Sequence, residues 1–399
     1  MFKDNVVFYK INIRYPAGEM EKSRRRLEGA YSFFPIDRVP VLLGIEARYL
    51  LHQRGVTFAE YFSDPKTQLI HQLENIKWRI ENIPDDWFTR PILTVSPDFQ
   101  NVTNASGCGC EIYWQELETP QSVQRLSSIN EMVHYLLPDW RGTLWGRRLE
   151  WYVEMSRLTE GIEVRLNGQK IPVVVAMGIN ADSPFMSAVD LAGAHFYHWL
   201  LEAPDECLAF LERITDRYIE VETEYRRILE RPMRDGLNYS DDSAQVLSLE
   251  QYRRFCVPIG NRLYGMFGCD RYDGRMMHLC GRNVHLHAGL LNDLHITMLT
   301  GYGSGNTPAE MLSLAGRVIL HGNVDPMLLY QGTKYEIEQE TAEILETLAP
   351  YGGIILGDGF NIVPGTSISN LEVLRRTSEK SGVPKLNSTV HNALLTSLF

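Results

Sequence analysis

The chain has 399 residues, of which 44% are hydrophobic and 22% are charged, so it can bury the core of one large domain or two smaller ones. Its 39 Lys and Arg against 50 Asp and Glu give a formal net charge of -11, which argues against nonspecific nucleic-acid binding, because that needs clustered positive charge. Six cysteines, sparsely and irregularly placed, argue against a disulfide scaffold.

The sequence predicts no targeting or membrane segment. Residues 1–20 interleave charged with apolar side chains, unlike a signal peptide. The longest apolar stretch, "IPVVVAMGI" (171–179), is about half as long as a membrane span and is typical of a buried strand. We therefore expect a cytoplasmic protein that does not enter a membrane.

Short apolar runs alternate with longer helical patterns along the chain. In order, the apolar runs are "RVPVLLGI" (38–45), "RPILTVSPD" (90–98), "KIPVVVAMGI" (170–179), "RMMHLCG" (275–281), "RVILHGNVDP" (317–326) and "GGIILGDGFNIVP" (352–364). This alternation predicts an α/β protein with a parallel sheet. So many units without a linker favour a single (β/α)8 TIM barrel, with a doubly wound sheet as the alternative.

We expect one TIM-barrel domain over residues 1–399, with an N-terminal extension at about 1–20 and an insertion around 137–170. The insertion is rich in Trp and Arg, which fits an aromatic lid, a dimer contact or ordinary amphipathic surface; the residues are Trp140, Trp145, Trp151, Arg141, Arg147 and Arg148. A homodimer is therefore one of the open expectations. No nucleotide cofactor is expected, because "GYGSGN" (301–306) does not lie between a strand and a helix with the glycines of the dinucleotide fingerprint.

The segment "MHLCGRNVHLH" (277–287) contains a candidate metal site. His278 and Cys280 lie at positions i and i+2 of a predicted strand, so their side chains point to the same side. Zinc prefers such nitrogen and sulfur ligands, and a catalytic zinc site uses three protein ligands and one open position. Asp358 and Glu46 are the candidate carboxylates for the third ligand. A buried thiol without metal remains the alternative.

Several stretches together resemble the uroporphyrinogen decarboxylase superfamily. They run in family order from about residue 20 to 382 and include "DRVPVLLG", "SPDFQNVTNASGCGCEI", "DSPFMSAVDLAGA", "HLCGRN", "ILHGNVDPMLLYQGTKYEI" and "GGIILGDGFNIVPGTSISNLEVL". The resemblance implies a single (β/α)8 barrel. It also implies either a decarboxylase that uses neither metal nor cofactor, or a zinc-dependent methyltransferase that works with a corrinoid protein or a thiol.

The resemblance assigns further residues to the pocket. Asp98 falls where decarboxylases bind pyrrole N–H groups, and Asp242, of the pair Asp241–Asp242, falls at a strand end; we expect both to be catalytic. Arg48 resembles the second arginine of the decarboxylase signature, whereas Gly44 replaces the first. We expect Arg48 to bind substrate, together with Asp190, Asn323 and Phe360.

Two departures from the family pattern separate the hypotheses. Gly44 removes an anion-binding arginine, and Phe360 stands where decarboxylases carry a histidine and zinc methyltransferases carry their last cysteine. The leading hypothesis is a methyltransferase that moves a methyl group between a small substrate and a corrinoid protein or thiol, with zinc on His278, Cys280 and Asp358. The alternatives are a metal-free decarboxylase or lyase acting on a smaller carboxylated substrate, and a non-catalytic ligand-binding barrel. A corrinoid is expected only through a partner protein.

Overall fold

Strands and helices alternate along a computed structural model that describes residues 7–34, 37–179, 182–359 and 361–386. The strands are β1 Tyr9–Ile13, β2 Leu93–Val95, β3 Glu111–Tyr113, β4 Gln121–Val123, β5 Ile162–Leu166, β6 Gln169–Ile171, β7 Val173–Val175, β8 Leu237–Ser240, β9 Arg275–His278, β10 Met298–Thr300, β11 Ile319–Val324 and β12 Ile354–Asp358. The α-helices are α1 Glu19–Tyr31, α2 Ala47–Arg54, α3 Phe58–Tyr61, α4 Pro65–Asn82, α5 Thr103–Cys108, α6 Ile129–His134, α7 Leu144–Thr159, α8 Pro184–Ala192, α9 His195–Glu202, α10 Pro204–Ile228, α11 Leu249–Phe255, α12 Val257–Phe267, α13 Pro308–Met311, α14 Pro326–Gln331, α15 Lys334–Leu348 and α16 Ile368–Ser381.

The centre of the molecule is a parallel sheet in the order β12-β11-β10-β9-β8. Every residue of β12 and most of β11 are buried, as expected for parallel strands that are covered on both faces. Isolated parallel bridges extend the sheet at both edges, from Val41 to Leu356 and from Asp182 to Ser240. A separate parallel pair joins β2 to β7. The predicted α/β class with a parallel sheet is therefore confirmed.

Closure into a barrel is not confirmed. Among the described residues, no strand pairing joins the segment around Val41 to β2. The physical reason lies in two buried carboxylates that occupy this edge. Asp86 accepts a hydrogen bond from the Val41 N–H at 2.8 Å, and Asp85 accepts one from the Leu43 N–H at 3.3 Å. Side chains thus take N–H groups that a neighbouring strand would otherwise bond.

The predicted N-terminal extension and the predicted insertion form one small sheet. Strand β1 pairs in parallel with β5, from Tyr9 opposite Ile162 to Ile13 opposite Leu166, and β5 continues into an antiparallel hairpin with β6. The apolar face of this sheet packs on α4 and α7 in a cluster separate from the main core. Whether the chain forms one domain stays a prediction.

The three tryptophans of the insertion are core residues. Trp140, Trp145 and Trp151 are all buried, and the indole N–H of Trp145 donates to Asn104 Oδ1 at 3.0 Å. They therefore form neither a lid nor surface in this structure, because α7 turns Trp145 and Trp151 inward and the short turn before it, Trp140–Gly142, buries Trp140. Arg148 is also buried, whereas Arg141 and Arg147 are exposed.

A buried ion pair ties α10 to the sheet. The Arg226 guanidinium donates to Glu222 at 2.7 Å and to the backbone carbonyl of Gly236, just before β8, also at 2.7 Å. The other Glu222 oxygen accepts from the Ile179 N–H at 2.7 Å. In the part of the chain that the structure describes, no helix has the length and apolar character needed to span a bilayer.

Candidate metal centre and surrounding acidic pocket

Three potential ligands meet at the carboxyl ends of β8 and β9. The parallel register places Ser240 opposite His278, so Asp242 and Cys280 follow the two strands side by side. One ligand atom from each of Asp242, His278 and Cys280 lies within 4.8 Å of the others. We call these three residues the donor cluster. The sequence predicts Asp242 as a catalytic residue. The structure places it next to His278 and Cys280, the two residues that the sequence predicts as metal ligands.

The carboxylate of Asp242 organises the cluster. Its Oδ1 accepts a hydrogen bond from the Cys280 N–H at 2.7 Å, and its Oδ2 lies 3.5 Å from His278 Nε2. Thus the loop after β9 is fixed by the same carboxylate that faces the imidazole. An aspartate oriented in this way presents a hard oxygen donor beside nitrogen and sulfur donors.

Neighbouring backbone holds the His278 ring in place. His278, Thr300 and His321 lie at one level across β9, β10 and β11, and the Thr300 backbone hydrogen-bonds to the His278 imidazole. The next residue, Gly301, has a φ of +57°, and a Cβ there would come 2.2 Å from His278 Cε1. Only glycine leaves room for the ring at this position. Ligating histidines commonly have such a backbone partner on the second ring nitrogen.

Burial sets the protonation of the cluster. It lowers the pKa of His278, although the nearby Asp242 opposes this change, so the imidazole is neutral and offers a lone pair. Burial, followed by the Asp242 charge, raises the pKa of the Cys280 thiol to about 12. A bound cation reverses this effect, because a coordinating thiol loses its proton.

A second group of carboxylates, Glu46, Asp98 and Asp358, lies beside the donor cluster, and we call this group the acidic pocket because its members interact electrostatically through Glu46. Asp358, at the end of β12, accepts a hydrogen bond from the Gly44 N–H at 2.6 Å and interacts electrostatically with His278. Glu46 is exposed to solvent, yet partial desolvation of its carboxyl group, followed by the charges of Asp98 and Asp358, raises its pKa. Asp358, predicted as the third ligand, is therefore near the cluster but is not part of it.

Asp98 follows β2 and interacts electrostatically with Glu46. The Tyr61 hydroxyl donates to its Oδ2 at 3.0 Å, and the Gln100 backbone N–H donates to its Oδ1 at 2.8 Å. These donors fix the carboxylate, which suits a residue that orients or stabilises a substrate. Arg48, on α2, is close enough to lower the pKa of Glu46.

The remaining predicted residues are not members of the donor cluster or fall outside the described chain. Asp190, on α8, accepts a hydrogen bond from the Ser122 hydroxyl in β4 at 3.0 Å. Asn323, near the end of β11, donates to the Asn306 carbonyl at 2.9 Å and so holds the glycine-rich loop 301–306. Phe360 falls outside the residues that the structure describes. The substrate-binding roles of these residues stay predictions.

His321 was not identified from the sequence. Its Nε2 donates to the Leu42 carbonyl at 2.9 Å, and burial lowers its pKa, so the ring is neutral with Nδ1 unprotonated. The signal was present in "VILHGNV", because His321 and Asn323 are two positions apart on one predicted strand.

The protein has a parallel sheet with helices, and its potential ligand residues lie at the carboxyl ends of the strands. This arrangement is typical of α/β proteins that build their active sites at the carboxyl ends of parallel strands. The model of the family described as uroporphyrinogen decarboxylase (URO-D) matches residues 97–380. The chain therefore belongs to the uroporphyrinogen decarboxylase family, whose members are TIM-barrel enzymes.

Among solved structures, this chain is similar to a methyltransferase from Methanosarcina mazei. The two share 19% sequence identity with a TM-score of 0.62, and the match covers 90% of this chain and 98% of the other. At this identity the likeness establishes the fold alone. No curated protein matches the sequence.

Proposed function

We propose that the protein is a metal-dependent methyltransferase that moves a methyl group between a small substrate and a corrinoid protein or thiol. The observation that carries this proposal is the donor cluster, in which nitrogen, sulfur and oxygen ligand atoms lie within 4.8 Å of one another. Membership of the family and the likeness to a methyltransferase agree with it. A corrinoid protein is the expected partner. Cytoplasmic location and dimer formation remain predictions.

The donor set fits zinc. A neutral imidazole, a thiol and a carboxylate match the ligand types and the number of protein ligands at catalytic zinc sites. When bound, the metal supplies Lewis acidity, which makes a coordinated thiol a thiolate at neutral pH and polarises a substrate heteroatom. Asp242 serves this site twice, since it offers an oxygen donor and fixes the Cys280 backbone.

The acidic pocket supplies positioning and proton transfer. Asp98 is held by the Tyr61 hydroxyl and orients the non-reacting part of the substrate. Glu46, with a raised pKa, retains its proton closer to neutrality than an ordinary glutamate and donates it to a leaving group. The neutral His321 presents Nδ1 as an acceptor to a substrate N–H or O–H.

We also infer that the parallel strands close into the eight-stranded barrel of the family. The segment at Val41 follows β12 around the sheet, and the Asp182 bridge connects β8 to the chain that leads from β7. With β2 paired to β7, the edge between β2 and Val41 is the remaining junction. The buried Asp85 and Asp86 carboxylates take the place of strand pairing there.

A metal-free lyase is the second candidate, and the pair Glu46 and Asp98 favours it. A glutamate with a raised pKa beside a fixed carboxylate can deliver a proton to a carbanion after carbon dioxide leaves, while Arg48 holds a substrate carboxylate. This reading leaves the donor cluster without a role, which is why it ranks second.

A turnover assay separates the two candidates. Zinc-loaded protein is incubated with a methylated free corrinoid and a small thiol, and corrinoid demethylation is followed by absorbance. We expect turnover that Cys280→Ala abolishes and that Asp98→Asn reduces. The contradicting result is no turnover with zinc-loaded wild type and carbon dioxide release from a panel of small carboxylates. It would disprove the methyltransferase proposal and support the lyase.

A further inference from the structure

A cleft of about 460 Å³ opens beside the loop that carries Asp98. Its walls come from α3 and the segment that follows it, from Phe99, from the turn after β3 and from α7. No residue of the donor cluster lines it. The volume lies within the range of small-molecule sites, which is about 300–1,000 Å³.

Three aromatic rings form the apolar part of this cleft. The Phe62 and Trp114 rings meet edge to face with 5.2 Å between centroids, and Phe62 stacks beside Phe99 at 6.3 Å. Phe99 is buried, whereas Trp114 is 40% exposed. A large indole left open to solvent beside two phenyl rings presents a surface that a flat apolar group would cover.

A cation without a carboxylate partner lies at the rim. The guanidinium carbon of Arg147 is 5.8 Å from the Phe99 ring centroid and 5.6 Å from that of Trp151. The neighbouring Arg148 donates to two backbone carbonyls, but Arg147 forms no ion pair with any of the residues that the structure describes. Ring contacts orient a guanidinium but leave its N–H groups available, and these match a carboxylate in a bidentate geometry.

We propose that this cleft is an accessory binding site for a small aromatic carboxylate. The ring of the ligand packs against Phe62 and Trp114, and its carboxylate pairs with Arg147. Glu116 also lines the cleft, so its charge opposes an anionic ligand and limits the affinity. The proposal stands on the cleft alone and does not depend on methyl transfer.

The position of the cleft couples it to the acidic pocket. Phe99 directly follows Asp98, and Phe62 directly follows Tyr61, whose hydroxyl holds the Asp98 carboxylate at 3.0 Å. A ligand that packs against Phe62, whose ring stacks beside Phe99, therefore rests on one of the two segments that fix Asp98 and reaches the other through the ring contact. We expect an occupied cleft to make this loop more rigid.

Benzoate binding to the full chain tests the proposal. The protein is labelled with 5-fluorotryptophan, and the Trp114 ¹⁹F resonance is assigned with Trp114→Phe. Benzoate should shift this resonance saturably, whereas benzylamine should not. Arg147→Gln should weaken binding roughly ten- to hundredfold, as expected for the loss of a charge-assisted hydrogen bond. Glu116→Gln should strengthen it, and Arg141→Gln, at another exposed arginine of the insertion, should leave it unchanged.

Outcomes of two kinds overturn the proposal. A linear, unsaturable benzoate response, equal binding of benzylamine, or unchanged affinity in Arg147→Gln would show that the cleft does not recognise an aromatic anion. Loss of benzoate binding in a folded Cys280→Ala protein would place the ligand at the donor cluster instead. Unchanged benzoate affinity in Cys280→Ala is expected, even if methyl transfer itself is disproved.

Discussion

The Asp242 carboxylate accepts a hydrogen bond from the backbone N–H of Cys280, with 2.7 Å between Oδ1 and the nitrogen. This contact links the loop after β8 to the loop after β9 and keeps the thiol close to the Asp242 carboxylate, whose second oxygen is Oδ2. That oxygen lies 3.5 Å from His278 Nε2, so one carboxylate faces both other members of the donor cluster. A ligand whose orientation is fixed before metal binding loses less conformational freedom on binding.

Asp242→Asn should lower zinc affinity by at least about tenfold, because the amide oxygen still accepts the Cys280 N–H but carries no charge. Asp358→Asn is the matched control, since its amide oxygen can still accept the Gly44 N–H and it lies outside the cluster. Competition with a chromogenic chelator measures both. A larger loss in Asp358→Asn would assign the third ligand to Asp358.

Gly301→Ala should impair zinc binding while the protein stays folded. A Cβ at this residue would lie 2.2 Å from His278 Cε1, so the imidazole must move. The alanine would also have to adopt a φ of +57°, which is unfavourable for any residue with a Cβ. Gly305→Ala, in the same loop, is the control because its Cβ would meet no atom closer than 3.8 Å. Equal zinc affinity in the two variants would show that Gly301 does not position the ring.

Asp190→Asn should stabilise the protein in a pH-dependent way. Burial raises the pKa of Asp190 to about 6 from 3.8. Ionisation of this carboxyl therefore lowers the free energy of unfolding, and the loss grows as the pH rises from 3.8 to about 6. The asparagine oxygen can keep the Ser122 hydrogen bond. Urea unfolding at pH 7.5 should show a gain of about 1–3 kcal/mol, shrinking towards pH 4. A gain of equal size at both pH values would contradict the raised pKa.

Arg226→Met should reduce the free energy of unfolding by about 3–5 kcal/mol, because it leaves the buried Glu222 carboxylate without its cation. Arg227→Met is the control next in the chain. Its pair with Glu224 lies at the surface, where solvent screens the two charges, so its loss should change the free energy of unfolding far less. Similar losses in the two variants, measured by urea unfolding, would mean that Arg226 does not anchor α10.

Much of the sheet could be predicted from hydrophobic runs alone. The predicted runs at 275–281, 317–326 and 352–364 contain β9, β11 and β12. Strand β10 was missed, because its three residues stand in the stretch "NDLHITMLTG" (292–301), where polar residues interrupt the apolar ones. The pairing of β1 with β5 could not be predicted either, because the two strands are far apart in the chain and their register is a property of the folded sheet.

The candidate site was predictable within one strand but not between strands. Alternation along the predicted strand indicated that His278 and Cys280 would lie on one side; in the structure β9 ends at His278, and Cys280 follows it in the loop beside the same imidazole. The approach of Asp242 depends on the register between β8 and β9, which the sequence does not specify. Burial of Trp145 and Trp151 likewise depends on tertiary contacts of α7, which an amphipathic pattern with interleaved arginines did not reveal.

Zinc content tests the central claim most directly. Wild-type protein purified without added metal, then incubated with zinc and dialysed, is compared with His278→Ala and Cys280→Ala by elemental analysis, with circular dichroism to verify folding. We predict stoichiometric zinc in the wild type and little in either variant, since each removes one of three donors. A folded wild type that retains no zinc after this treatment would contradict a metal-dependent site and leave His278 and Cys280 as pocket wall.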